Sequence, residues 1–60
     1  MSASELIVAI QLEYKISQGE IARAVGVRDK TVNFWVKGKA KPHNTFRKAL
    51  LKILREGVGE

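Results

Sequence analysis

The sequence predicts an all-α protein of four or five short helices in a single domain, residues 1–60. Apolar residues recur at intervals of three and four in several segments, which is the period of an amphipathic helix. Residues that start or stop helices separate these segments, among them Ser17, Gly26 and Gly57. The chain contains no internal repeat, low-complexity segment or linker that would divide it.

The first helix is predicted to run from Ala3 or Ser4 to Lys15, with Ser2 or Ser4 as its N-cap and Glu5 favourable in the first turn. Two apolar stripes follow this helix, whereas an amphipathic helix needs only one. The stripe expected to face the core consists of Leu6, Ile10 and Tyr14. The stripe on nearly the opposite side consists of Val8 and Leu12.

Residues 17–38, SQGEIARAVGVRDKTVNFWVKG, predict two short helices across a tight turn, at about residues 17–37. Ser17 followed three positions later by Glu20 is a capping box, and Gly26 can end the helix in the left-handed conformation. The apolar face of this helix consists of Ile21, Ala22 and Val25. The next helix begins near Arg28, and its buried face consists of Val32, Trp35 and Val36. Its outward face consists of Lys30, Asn33, Phe34 and Lys37.

The last helix is predicted from about Thr45 to Arg55, with His43 or Asn44 near its cap. Pro42 prevents a helix from continuing out of the preceding loop, and Gly57 is a natural stop. The inward face consists of Phe46, Ala49, Leu50 and Ile53. A flanking apolar stripe consists of Leu51, Leu54 and Val58. Either this stripe or the surplus stripe of the first helix is a candidate dimer seam.

A recurring set of small, polar and apolar residues in these segments carries a resemblance to a known family. The set comprises Gln18, Ala22, Gly26 with Val27, Thr31 with Val32, and Gly38, followed by Lys41, Pro42 and the helix at 49–54. On these positions residues 16–54 resemble the helix-turn-helix of the lambdoid phage repressor and Cro family, also called the Xre family. The resemblance implies a compact lambda-repressor-like DNA-binding domain from a phage or another prokaryotic source.

In such a domain the second helix of the pair enters the major groove with its first residues nearest the bases. The resemblance therefore implies a base-reading set of Arg28, Asp29, Lys30, Asn33 and Phe34. Arg or Lys can donate to guanine, Asp can accept from cytosine, and Asn can bind adenine through two hydrogen bonds. Two residues of this set have alternative roles. Asp29 is either a partner of the helix dipole in the first turn or paired with a nearby Lys. Phe34 either contacts a protein partner or lies under the Lys39 loop.

The resemblance also implies a set of residues that contact DNA phosphates and so position the protein. This set comprises Gln18, Lys37, Lys39, Lys41, His43 and Arg47. Gln18 matches the glutamine with which the family holds a phosphate and braces the reading helix, and the alternative to this role is a surface glutamine. His43 is either a cap-region residue or a phosphate contact, and Trp35 is expected in the core.

Charge is distributed unevenly along the chain, whose formal net charge is +5. Nine of the eleven Lys and Arg residues lie between Arg28 and Arg55, where Asp29 is the only acidic residue. A basic region that includes the reading helix suits attraction to phosphates and release of counterions. A solvated helix face is the other explanation of so many lysines.

Several classes of protein are not expected from this composition. The chain has no cysteine and one histidine, and its acidic residues are scattered, so we expect no metal, no cofactor and no enzymatic activity. The apolar run Leu6–Ile10 is far shorter than the roughly 20 residues that span a membrane, so we expect a cytoplasmic, nucleoid-associated protein. A chain of this length buries only about 60% of its unfolded surface, and self-association would add to that core.

These observations lead to the expectation of a sequence-specific regulator of transcription that binds double-stranded DNA. By resemblance to Cro-like members, it would repress by occupying a pseudo-palindromic operator as a homodimer, with no small-molecule effector. A monomeric reader or a fragment of a longer protein, and activation instead of repression, remain open. The alternatives in function are a protein–protein docking module on the same scaffold and a sequence-independent nucleic-acid binder.

Overall fold

Four helices account for the architecture of residues 2–58, the part of the chain that the computed structural model describes, and this part contains no strand. They are α1 (Ala3–Tyr14), α2 (Gln18–Val25), α3 (Asp29–Lys37) and α4 (Asn44–Glu56). The predicted all-α fold is confirmed, and of the four or five helices expected, the described residues form four. Each of the four begins and ends within one or two residues of its predicted position.

The starts of α1 and α2 follow the capping residues seen in the sequence, whereas the N-cap residues of α3 and α4, Arg28 and His43, make no side-chain cap bond. Ser17 accepts a hydrogen bond from the Glu20 N–H at 3.1 Å, and the Glu20 carboxylate accepts one from the Ser17 N–H at 3.2 Å. The same reciprocal pair opens α1, where Ser2 caps the Glu5 N–H at 3.1 Å. Each pair satisfies two amide groups that a helix start would otherwise leave without a partner.

α1 packs against both α3 and α4, while α2 packs mainly on α3. Ten buried apolar side chains form the core: Ala3, Leu6, Ile7, Ile10, Ile21, Ala22, Val32, Trp35, Leu50 and Ile53. The Trp35 ring lies 5.7 Å from the Phe46 ring, which links α3 to α4 and confirms Trp35 as a core residue. Ile7, which the predicted stripe of α1 omitted, is fully buried.

The carboxyl ends of α1 and α4 lie against each other. The Tyr14 hydroxyl donates to the Leu54 carbonyl at 2.8 Å, and Gly57 lies against the same ring. A Cβ at Gly57 would lie 3.2 Å from Tyr14 Cε1, at a φ of +86°. Tyr14 therefore fixes the carboxyl end of α4 to α1. Within the described residues, none of the helices has the length and apolar character of a membrane span.

Candidate nucleic-acid interface

α2 and α3 are joined by only three residues, and the backbone of these residues explains the reversal of direction. Gly26 has a φ of +93°, and its N–H donates to the Ala22 carbonyl at 2.8 Å. Val27 donates to the same carbonyl at 2.9 Å, and Arg28 is extended, as an N-cap residue should be. Glycine adopts this left-handed conformation without steric strain. The predicted turn between two short helices is therefore present at the predicted residues.

α3 buries one side and presents the other to solvent. Val32 and Trp35 are buried against α1, and Val36 is partly buried against the core. The opposite side carries three exposed side chains, Lys30, Phe34 and Lys37. Phe34 remains 40% exposed, which is unusual for a phenylalanine on a face that is otherwise basic. An apolar ring between two lysines is a surface suited to contacts with both a base edge and phosphates.

Asn33, predicted on the outward face, is partly buried because it is bonded to α2. Its side-chain amide donates to Gln18 Oε1 at 3.3 Å, which connects the first residue of α2 to the middle of α3. The bond uses one N–H of Asn33 and one acceptor of Gln18. It leaves the Gln18 amide N–H groups free to donate, and it leaves Asn33 one N–H and its oxygen. These are the groups that a phosphate contact and a bidentate adenine contact require.

Asp29, the first residue of α3, lies against α2. An added Cβ at Gly19 would lie 3.3 Å from Asp29 Oδ2 and 3.7 Å from Oδ1. The carboxylate is therefore beside the first turn of α2, where the backbone N–H groups carry partial positive charge. This position favours the role of Asp29 as a partner of a helix dipole. The dipole concerned is that of α2, the neighbouring helix. The sequence offered one signal of this approach, a glycine inside the first turn of a helix.

The loop between α3 and α4 brings a second group of predicted residues together. Gly38 ends α3 with a φ of +77°, and Lys39 donates its N–H to the Phe34 carbonyl at 2.9 Å. Two open grooves of about 490 and 540 Å³ share Trp35, Lys41 and Pro42 in their walls. Arg47 lines the first groove and His43 lines the second, at the N-cap of α4. Lys41 therefore lies between the two grooves, with Arg47 in the wall of one and His43 in the wall of the other.

The structure brings six of the predicted residues together in two groups. One group, Gln18, Asp29 and Asn33, joins the amino end of α2 to α3. The other group, Lys41, His43 and Arg47, surrounds the α3–α4 loop. The remaining predicted residues are exposed and lie on α3 or beside its ends: Arg28, Lys30, Phe34, Lys37 and Lys39. The resemblance implied that Gln18 braces the reading helix, but it did not identify Asn33 as the partner, because nothing local relates two residues fifteen positions apart.

Within residues 2–58, no three His, Cys, Asp or Glu side chains are placed so that they could hold a metal ion. Comparison with family models, with curated proteins and with solved structures gives no significant match for this chain. The likeness to the repressor and Cro family therefore rests on the residue pattern described above.

Proposed function

We propose that this protein is a sequence-specific regulator of transcription that binds double-stranded DNA, with α3 in the major groove. One observation carries the proposal: the solvent side of α3 is basic and exposed, and α3 is braced at its outer edge by the Gln18–Asn33 bond to the start of α2. A reading helix needs this combination, because its side chains reach the bases only when a second helix holds it against the backbone.

Two kinds of contact divide the surface. We assign base reading to the side chains of α3 and its start: Arg28, Lys30, Asn33 and Phe34, with Asp29 acting mainly on α2. We assign phosphate contacts to Gln18 and to the basic residues of the α3–α4 region: Lys37, Lys39, Lys41, His43 and Arg47. Phosphate contacts position a protein on DNA, and base contacts select the sequence.

The biological setting that we propose follows from DNA binding itself. The protein would act as a binding protein and not as an enzyme, in the cytoplasm at the nucleoid. It would repress transcription by occupying a pseudo-palindromic operator, with one copy on each half-site. No small-molecule effector is required for this mechanism.

Selection from random duplex DNA tests the proposal. The purified protein is mixed with a random library at near-physiological salt, and the retained DNA is sequenced. We expect one sequence to be enriched, with half-sites about ten base pairs apart if two copies bind together. Retention without enrichment would indicate a sequence-independent binder. Absence of retention would contradict DNA binding and favour a docking module for another protein, with Phe34 in the contact.

Salt dependence with a matched pair of lysine variants then tests the surface. Lys39→Ala should weaken binding to every sequence and reduce the salt slope by about one unit, because one phosphate contact is lost. Lys52→Ala removes the same charge from α4, where Lys52 lines a different groove with Ala24 and Gly57. We expect the Lys52 variant to keep the wild-type slope. Equal slopes for both variants would remove Lys39 from the phosphate contacts.

A further inference from the structure

The outer side of α1 carries two apolar side chains that the core does not use. Val8 is 41% exposed and Leu12, one turn further along, is 74% exposed. The inner side of α1 is fully occupied, since Leu6, Ile7 and Ile10 are buried in the core. Only a second molecule could therefore bury Val8 and Leu12. Their burial would be favourable, because it removes apolar surface from water.

The charges around this pair are arranged so that the surface complements itself. Val8 and Leu12 lie two residues on either side of Ile10, and Glu5 and Lys15 lie five residues on either side of it. Because the helix rises evenly along its axis, two antiparallel copies centred on Ile10 bring each residue level with its counterpart. Val8 of one copy then lies level with Leu12 of the other, and Glu5 lies level with Lys15.

We propose that a second copy of this chain docks on the outer side of α1, with the two α1 helices antiparallel and crossing near Ile10. We name this surface the α1 seam: Glu5, Val8, Leu12 and Lys15. The contact is isologous, since the same surface serves both copies, which is the usual symmetry of a homodimer. Each dimer has one apolar centre and two pairs of opposite charges at its ends.

The local structure leaves the charged ends of the α1 seam free to pair. Glu5 Oε1 accepts a hydrogen bond from the Ser2 N–H at 2.9 Å, so the second carboxylate oxygen remains for a lysine. Lys15 is exposed at the C-cap of α1. Pairs of opposite charge at the rim of an interface contribute more to orientation than to affinity. Here they favour the antiparallel arrangement over the parallel one.

The competing apolar stripe, on α4, lacks this complementarity. Leu51 and Val58 are each 41% exposed, and Leu54 is packed against the core. The charged side chains that border this stripe are basic: Lys48, Lys52 and Arg55. Two copies joined through α4 would bring like charges together, which opposes association.

Sedimentation equilibrium of the purified protein over a wide concentration range tests the α1 seam. We expect a reversible monomer–dimer equilibrium in the wild-type protein. Leu12→Gln should raise the dissociation constant about tenfold or more, because a leucine that is buried on association is lost from each copy. Leu51→Gln, the same change at the α4 stripe, should leave it unchanged. A wild-type protein that stays monomeric, or a dimer that only the Leu51 variant weakens, would overturn the proposal.

A charge-exchange experiment tests the antiparallel pairing itself. Glu5→Lys and Lys15→Glu each place like charges together in a homodimer, so each variant alone should associate more weakly than the wild type. An equimolar mixture of the two variants restores opposite charges at both ends of the α1 seam, and it should therefore dimerise better than either variant alone. Circular dichroism verifies that both variants fold. A mixture no better than its components would contradict the arrangement, and no DNA is present to affect the outcome.

Discussion

Gln18 and Asn33 form one unit rather than two independent contacts, because the side chain of each one orients the other. The bond of 3.3 Å holds the Gln18 amide at the start of α2 and the Asn33 amide on the edge of α3. If the proposed function is correct, loss of either residue would therefore remove a DNA contact and also release its partner. A side chain released in this way has to be ordered again when DNA binds, which lowers affinity.

A double-mutant cycle measures this coupling on the preferred DNA site. Asn33→Ala should lower affinity for that site by roughly 1 to 3 kcal/mol and affect other sequences little. Gln18→Ala should weaken binding to all sequences. We expect the loss of binding free energy in the double variant to differ from the sum of the two single losses by about 0.5 kcal/mol or more, as is usual for residues in contact. The control combines Gln18→Ala with Lys41→Ala, a change in the other group, and we expect their two losses of binding free energy to add. Additive losses for Gln18 and Asn33 would show that the bond has no role in binding.

Asp29 gives a second prediction, because its carboxylate lies beside the end of α2 that would face a phosphate. A negative charge at this place repels DNA, so Asp29→Asn should strengthen binding to all duplexes and steepen the salt slope. Glu13→Gln removes the same charge from an exposed position on α1 and should change affinity less. If Asp29→Asn instead weakens binding only to sites with a particular cytosine, the carboxylate reads a base.

At the scale of the helices, the stability that the capping box gives to α1 depends on pH through the Glu5 carboxylate. The Ser2 N–H and, to a smaller extent, the Ser2 side chain hold the pKa of Glu5 below its ordinary value of 4.5. A lowered pKa in the folded state means that the ionised carboxylate stabilises the fold above pH 4.5. This stabilisation is lost as the pH falls from that value through the lowered pKa.

Denaturation by urea at several pH values checks this dependence. Glu5→Gln should be less stable than the wild type at neutral pH, because it loses the charged member of the cap. The difference in the free energy of unfolding should shrink as the solution is acidified below about pH 4.5, since the wild-type carboxylate becomes neutral. A difference that stays constant down to pH 3 would show that the charge of Glu5 does not act through the cap.

At the scale of the whole molecule, stability depends on a core of ten buried side chains in a chain of sixty residues. A domain of this size has only a few kcal/mol of net stability, so a single cavity removes much of it. Association through the α1 seam would add to this stability by mass action, because the dimer forms only from folded chains.

Two neighbouring leucines of α4 provide a matched test of the core. Leu50 is fully buried, whereas Leu51 is 41% exposed. Leu50→Ala should lower the free energy of unfolding by about 2 to 5 kcal/mol, through lost burial and a residual cavity. Leu51→Ala should lower it by no more than about 1 kcal/mol. The measurement is denaturant unfolding followed by circular dichroism at low protein concentration. Similar losses at both positions would contradict the assignment of α4's inner face.

The helices and their ends could be predicted from the sequence, because their signals are local. Ser17 with Glu20, Gly26, Gly38 and Pro42 act on backbone groups within one turn, and the period of the apolar residues identifies the buried faces. The burial of Trp35 and the exposure of Val8 and Leu12 followed from the same period. The base that each side chain of α3 reads stays a prediction, because sequence choice depends on the DNA as well as on the protein.

Contacts between helices were decided only by packing. Ile7 lies three residues before Ile10 and seven before Tyr14, so it adjoins the predicted core-facing stripe of α1 and is buried with it. The Gln18–Asn33 bond and the approach of Asp29 to Gly19 depend on how α2 crosses α3, which no nearby residue specifies. A local pattern determines where a helix begins, ends and turns its apolar side. The distances between side chains of different helices arise only when those helices pack, because packing sets their separation and crossing angle.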